Sequence, residues 1–367
     1  MNMNIALVIS KGLHPPWNQG EVVTTRNFVR ILSRIYDEVL VLSLIDYARG
    51  FEDFWRSSSP NISIMYVNNM QHLMSICRVI RSSYDLHVAN ISLLDVPRCL
   101  VKRAERVYLY LYALKNVRAI STFFRTLGIL LGSSIYRKLR VITPSPMVYE
   151  AARRLHSNVF YVPTPLEVPK SLLGRDMSEV TILCLAHADY VRFPIDKTVP
   201  AIAMLVREGY RFRMKIVFSQ QAFKDYQFML SLTRSILEKY KLSEIVVVTA
   251  KNLGEDDKQK LFTESHIFLY PALRESAVDP PLTVLEAMSY GLCVIATNVQ
   301  SIPCILKSHR GVVIRRHRLT LDLYEKLSML LSNNELIKQY SVKARRYIEC
   351  VHGNDVVVKM MVKSLYI

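Results

Sequence analysis

Residues 271–306 read PALRESAVDPPLTVLEAMSYGLCVIATNVQSIPCIL, and a few of their side chains could hold an anionic, hydroxyl-bearing molecule. Thr283 and Glu286 are three residues apart, so they share one face of a helix. A carboxylate there can accept hydrogen bonds from two neighbouring sugar hydroxyls. The start of the same helix offers unpaired N–H groups and the positive end of its dipole, which favour a phosphate. Pro280 and Pro281 suit the first turn, where a missing N–H costs little, and they leave Leu282, Thr283 and Val284 as the donors. Asp279 has the chemistry of an N-cap.

These residues need a scaffold. The apolar run ending in FLYPA, the acidic loop, the helix stopped by Gly291 and the run CVIAT form a βαβ unit. The same alternation runs along the whole chain. Strands are expected at 5–10, 38–44, 62–67, 86–91, 107–113, 141–144 and 159–163, with helices at 21–35, 70–83, 96–106, 118–137 and 147–156. A proline-marked linker, YVPTPLEVPKSLLGRDMS, follows. A second series places strands at 180–186, 213–219, 244–250, 266–272, 293–297 and 311–315. Its helices fall at 196–208, 222–241, 255–263, 282–290, 320–331 and 334–349. The expectation is α/β, with a Rossmann-like doubly wound domain over 1–167 and another over 168–344.

The stretch LEAMSYG, preceded by FLYPA, resembles the donor-binding segment of the GT-B glycosyltransferases, in particular retaining family 4, the glycosyl transferases group 1. That resemblance implies two Rossmann-like domains facing across a cleft, the first on the acceptor side and the second binding a nucleotide-sugar. It also implies that residues from about 345 to 367 pack back on the first domain. In the family pattern, Glu286 is the second of two glutamates and holds the ribose. The first contacts the donor sugar, but its place, seven residues earlier, is taken by Val278. Glu275 and Asp279 are the neighbouring carboxylates; Glu275 is favoured, because Asp279 is suited to capping.

Arg192 and Lys197 match the family's diphosphate-binding pair, and Gly20 matches one glycine of its Gly-Gly loop after the first strand. The histidine that the family often carries in the first domain has no counterpart in YLYLYALKN. His14 is therefore the candidate acceptor-side base, and His87 reads as packed. The implied activity is transfer of a sugar from a nucleotide-sugar to a glycan, lipid-linked or protein acceptor, with retention. The alternatives are a non-catalytic nucleotide-sugar-binding or interaction protein on a degenerate GT-B scaffold, and an epimerase on the same fold.

Composition narrows the classes. There is no Asp-x-Asp and no clustered His/Cys spacing, so a metal-independent reaction is expected, with the nucleotide-sugar as co-substrate and no cofactor. Six scattered cysteines without a C-x-x-C pair read as reduced core residues of a cytoplasmic protein. The net charge is +17 in 367 residues, and residues 1–165 hold 20 basic against 10 acidic side chains. No nucleic-acid motif accompanies this excess, so nucleic acid is not an expected partner. The basic-ended apolar segment 118–140 reads as a buried domain helix with basic ends or, alternatively, as a peripheral contact with an anionic membrane, on the inner face if the protein is cytoplasmic. The expectation is that the protein sediments with anionic vesicles at low salt, far less with neutral ones, and is released as salt screens its charge. Failure to bind anionic vesicles at low salt would assign the charge to the bulk surface.

Overall fold

The computed structural model describes residues 5–10, 20–43, 59–67, 69–80, 83–113, 139–169, 175–219, 226–251 and 253–366, with 121, 122, 125, 126, 129, 136 and 138. His14 and most of the 118–140 segment lie outside the described residues.

The chain divides into two compact units, one formed by 1–165, 277–279 and 352–367, the other by 166–276 and 280–351. In the first unit, strands β1 (Ile5–Ser10), β2 (Glu38–Ser43), β3 (Ile62–Tyr66), β4 (Asp85–Ala89), β5 (Arg106–Tyr110), β6 (Leu139–Thr143) and β7 (Val159–Tyr161) form one parallel sheet. Its order is β3-β2-β1-β4-β5-β6-β7. Parallel strands need crossovers, here including α1 (Gly20–Leu32), α2 (Met70–Val79), α3 (Arg98–Arg103) and α4 (Pro146–Ala152). Helices on both faces explain why β4 is buried along its whole length, where an open sheet would alternate.

The second unit repeats the plan with β8 (Thr181–His187), β9 (Arg213–Ser219), β10 (Val246–Lys251), β11 (Ile267–Tyr270), β12 (Cys293–Thr297) and β13 (Val312–Ile314). Their order is β10-β9-β8-β11-β12-β13, again parallel. Its helices are α5 (Ile195–Arg207), α6 (Tyr226–Lys239), α7 (Glu255–Thr263), α8 (Leu282–Ser289), α9 (Ile302–Leu306), α10 (Leu319–Leu331) and α11 (Asn334–Val351). The chain builds outward from β8 to β10, then returns to place β11 on the other side of β8. In sheets of this kind such a reversal is where a ligand can enter, beyond the carboxyl ends of the strands.

The last helix, α12 (Asn354–Tyr366), belongs to the first unit. Arg140 donates to the carbonyls of Ser364 and Leu365 at 3.1 and 2.9 Å, and Arg106 also donates to Leu365. Two guanidiniums thus satisfy carbonyls that a helix C-terminus leaves open. Arg106 continues into the core, donating to Asp85 Oδ1 at 3.1 Å, while Tyr36 donates to Asp85 Oδ2 at 2.8 Å. His87 is fully buried, bonded to the hydroxyls of Tyr110 (3.0 Å) and Tyr36 (3.2 Å) and stacked on Tyr108.

Two expectations for this unit change, those for the cysteines and for Asp279. Cys77 and Cys99 are joined by a disulfide between α2 and α3, where scattered reduced cysteines were expected. Their separation of 22 residues gives no motif, but packing of the two helices brings the Cα atoms to 6.4 Å, an ordinary disulfide span. Asp279 does not cap α8. It is fully buried in the first unit, where its N–H donates to the Tyr112 carbonyl at 2.9 Å and its carboxylate accepts from the Ser145 hydroxyl. The space spared by the missing side chain of Gly20 is used by Val278, since a Cβ there would sit 3.2 Å from Val278 Cγ2.

Burial pushes His87 down to about 3 and His352 down to about 4, from an ordinary value of 6.5. Both are neutral in the folded chain, while the unfolded chain takes up their protons below about pH 6.5. Their contribution is therefore fully present above that pH and is lost as pH falls towards the folded values. Asp85, raised by burial, contributes with the opposite sign. Each histidine should cost about 2 kcal/mol between pH 7.5 and 5.0, giving a clearly lower urea midpoint at the lower pH. An unchanged midpoint would contradict the buried neutral state.

Candidate functional site

The loops after β8 and β11 carry the two segments singled out above. Beyond β8, Asp189 accepts at Oδ1 from the Arg192 N–H at 2.7 Å, turning the chain sharply before α5. The Arg192 guanidinium then donates to the carbonyls of Arg274 (3.1 Å) and Glu275 (2.8 Å) in the loop after β11. It ties together the two loops that flank the reversal in strand order. Lys197 lies in the first turn of α5. His187, at the end of β8, is pushed down by burial and by the neighbouring Arg192.

The loop after β11 is held from several sides. The Leu273 N–H donates to the Val191 carbonyl at 2.8 Å, and Arg316 donates to the Leu273 carbonyl at 3.0 Å. Gln300 bonds the backbone of Ser276 twice, accepting from its N–H and donating to its carbonyl, both at 2.9 Å. Gln300 itself adopts a φ of 46°, a left-handed conformation uncommon outside glycine. The Glu275 carboxylate lies 3.8 Å from Arg316, a half-exposed pair. Arg316 is 41 positions further on, after β13, so sequence spacing gave no sign of it.

Helix α8 shows one face. Thr283 and Glu286 are its only residues that are not fully buried, as their spacing predicts. Leu282 and Val284 are buried. Pro281 is the N-cap and contributes no side-chain cap. Its carbonyl accepts from the Val284 N–H at 3.0 Å and from Leu285 at 3.3 Å, so Val284 is already paired within the first turn. Of the three donors expected at this helix start, Val284 is therefore committed to the helix itself.

The far end of α8 is also fixed. Gly291, at a φ of 67°, closes a Schellman turn in which Leu292 donates to Ala287 and Gly291 to Met288, both at 3.0 Å. Arg175 donates to the carbonyls of Tyr290 (2.6 Å) and Gly291 (3.1 Å), and Arg345 to Ser289 (3.3 Å). Burial, with Arg345 nearby, brings Arg175 down to about 10. Lys258 of α7, which the sequence reading did not single out, places its ammonium 3.1 Å from Glu286 Oε1. Among the described residues, no group of three or more His, Cys, Asp or Glu is gathered to hold a metal ion, and no helix is long and apolar enough to cross a membrane.

Residues 230–347 match the family Glycosyl transferases group 1. That stretch includes Lys258, Glu275, Thr283 and Glu286, and excludes Arg192 and Lys197. No curated protein matches the chain. Among solved structures, the chain is similar to a glycosyltransferase from Rickettsia africae, with a TM-score of 0.74, 14% identity, and coverage of 99% of this chain and 97% of that one. It is also similar to Anabaena Alr3699/HepE in complex with UDP and glucose, with a TM-score of 0.73, 11% identity and 98% of each chain covered. Sucrose-phosphate synthase from Thermosynechococcus elongatus gives 0.68 at 13% identity, covering 100% of this chain and 98% of that one. The chain has the GT-B fold, two Rossmann-like parallel-sheet domains. Family match and fold together support a glycosyltransferase, and so an enzyme.

Proposed function

We propose that this chain transfers a sugar from a nucleotide-sugar to an acceptor, with retention and without a metal, in the manner of glycosyltransferase family 4. The observation that carries the reading is helix α8. It follows the loop after β11, the strand at the reversal in order, and only Thr283 and Glu286 on it are partly exposed. The group 1 match over the same residues supports it, as do the similar structures with UDP and glucose.

In this reading the diphosphate lies against the N–H groups of Leu282 and Thr283, with the Thr283 hydroxyl beside it. Lys197 and the Arg192 N–H groups not used by the loop would stabilise charge as the diphosphate leaves. That charge grows towards the transition state, so they serve turnover more than donor binding. Glu286 accepts from the two ribose hydroxyls. Glu275 sits in the loop that Arg192, Arg316 and Gln300 hold in place, and it would face the donor sugar. Attack on the face that the nucleotide leaves needs no enzyme nucleophile. The acceptor is a glycan, a lipid-linked molecule or a protein, and the basic first unit suits an anionic one or an anionic membrane surface.

Glu286→Ala should weaken binding of the matching nucleoside diphosphate by about 1.5–3 kcal/mol, the range for hydrogen bonds to a charged group. Calorimetric titration of UDP, GDP and ADP into wild type and variant measures it. Unchanged affinity in a folded variant would remove the ribose role.

A further inference from the structure

In the sequence, Lys258 is one cation in the charged run GEDDKQKLF and reads as part of a solvated helix face. The structure places it otherwise. Its side chain is only 12% exposed, and its ammonium lies between Glu255 Oε1 at 3.2 Å and Glu286 Oε1 at 3.1 Å. Glu255 is 70% exposed and Glu286 only 15%, so the desolvated pair is Lys258 with Glu286. Glu255, one turn earlier on α7, anchors the ammonium from its own helix.

Burial alone would drive the proton from Lys258, but the carboxylates of Glu286 and Glu255 outweigh it and hold the ammonium above its ordinary value. The other ionisable groups around this end of α8 are Tyr290, Glu167, Arg175 and Arg345. Arg175 and Arg345 bond backbone carbonyls of α8 and its C-terminal turn.

A buried ion pair is weak evidence for stability, because desolvation offsets much of the attraction. The fold has other means of joining α7 to α8. Phe262 stacks on Tyr290 with ring centroids 5.2 Å apart, and α8 is fixed at its far end by the Schellman turn and two guanidiniums. The charge on Lys258 therefore calls for a role in the site. A carboxylate has about four acceptor positions, more than a single ammonium uses. A carboxylate as little exposed as that of Glu286 keeps its charge most readily where a cation adjoins it.

We propose that Lys258 is a positioning residue for the donor site, fixing the Glu286 carboxylate in one orientation and in its charged state so that it accepts from the ribose hydroxyls of a nucleoside diphosphate. This rests on the reading of Glu286 as the ribose-holding group.

The test titrates UDP, GDP and ADP calorimetrically into wild type, and then the tightest of the three into variants whose folding is checked by circular dichroism. Lys258→Met should weaken binding about tenfold or more, a loss of about 1.4 kcal/mol or more. Lys258→Arg should recover most of the affinity, because it restores the cation. Lys258→Met added to Glu286→Ala should cause no further loss, since the lysine acts through the glutamate. If Lys258→Met does not fold, Glu255→Gln takes its place, and by loosening the ammonium it should produce a smaller loss that also vanishes in the Glu286→Ala background. Wild-type affinity in Lys258→Met, with binding lost in Glu286→Ala, would overturn the role of Lys258 alone. Losses that add in the double variant would overturn it as well. Wild-type affinity in Glu286→Ala, or no binding of any probe to wild type, would remove the ribose reading and this inference with it.

Discussion

Parallel strand pairing is the constraint on which the second unit depends. A parallel neighbour can be reached only by a crossover, so every strand ends at the same edge of the sheet. The loops after β8, β11, β12 and β13 therefore gather there, although they lie far apart in sequence. Where the order reverses, between β8 and β11, their backbones must part, and that gap is where a ligand fits such a sheet. Arg192 spans the gap by holding two successive carbonyls of the opposite loop. Gln300 and Arg316 hold the same loop from the β12 and β13 sides.

Helix α8 turns this edge into a candidate anion and ribose site. Burial of its other side chains leaves Thr283 and Glu286 as its partly exposed residues, and fixed groups at its C-terminal end hold it in place. The donors at its start are fewer than the proline pattern suggests, because Val284 pairs with the Pro281 carbonyl. Glu286 in turn has its charge matched by Lys258 from α7, so the site draws on two helices and the loops between strands.

Much of this was legible in the residues. Continuous apolar runs located the strands closely, since strands buried on both faces carry little else. The helix-period spacing of Thr283 and Glu286 identified the outward face of α8. Local rules misled where tertiary partners won. Asp279 has N-cap chemistry, yet its carboxylate meets Ser145, 134 positions away. Glu275 pairs with Arg316, and Cys77 with Cys99, through packing that no short spacing records. Lys258 was not singled out, because a run of charged residues on one helix does not record which of them is buried.

The account centres on the segment from β11 through α8 as the place where a nucleotide diphosphate is held. Amide hydrogen exchange of the full chain, with and without the tightest-binding of UDP, GDP and ADP, tests this most directly. Slower exchange over 271–290, strongest at Leu282 and Thr283, is the result the account requires. Binding that leaves those amides unchanged and protects another part of the chain would contradict it.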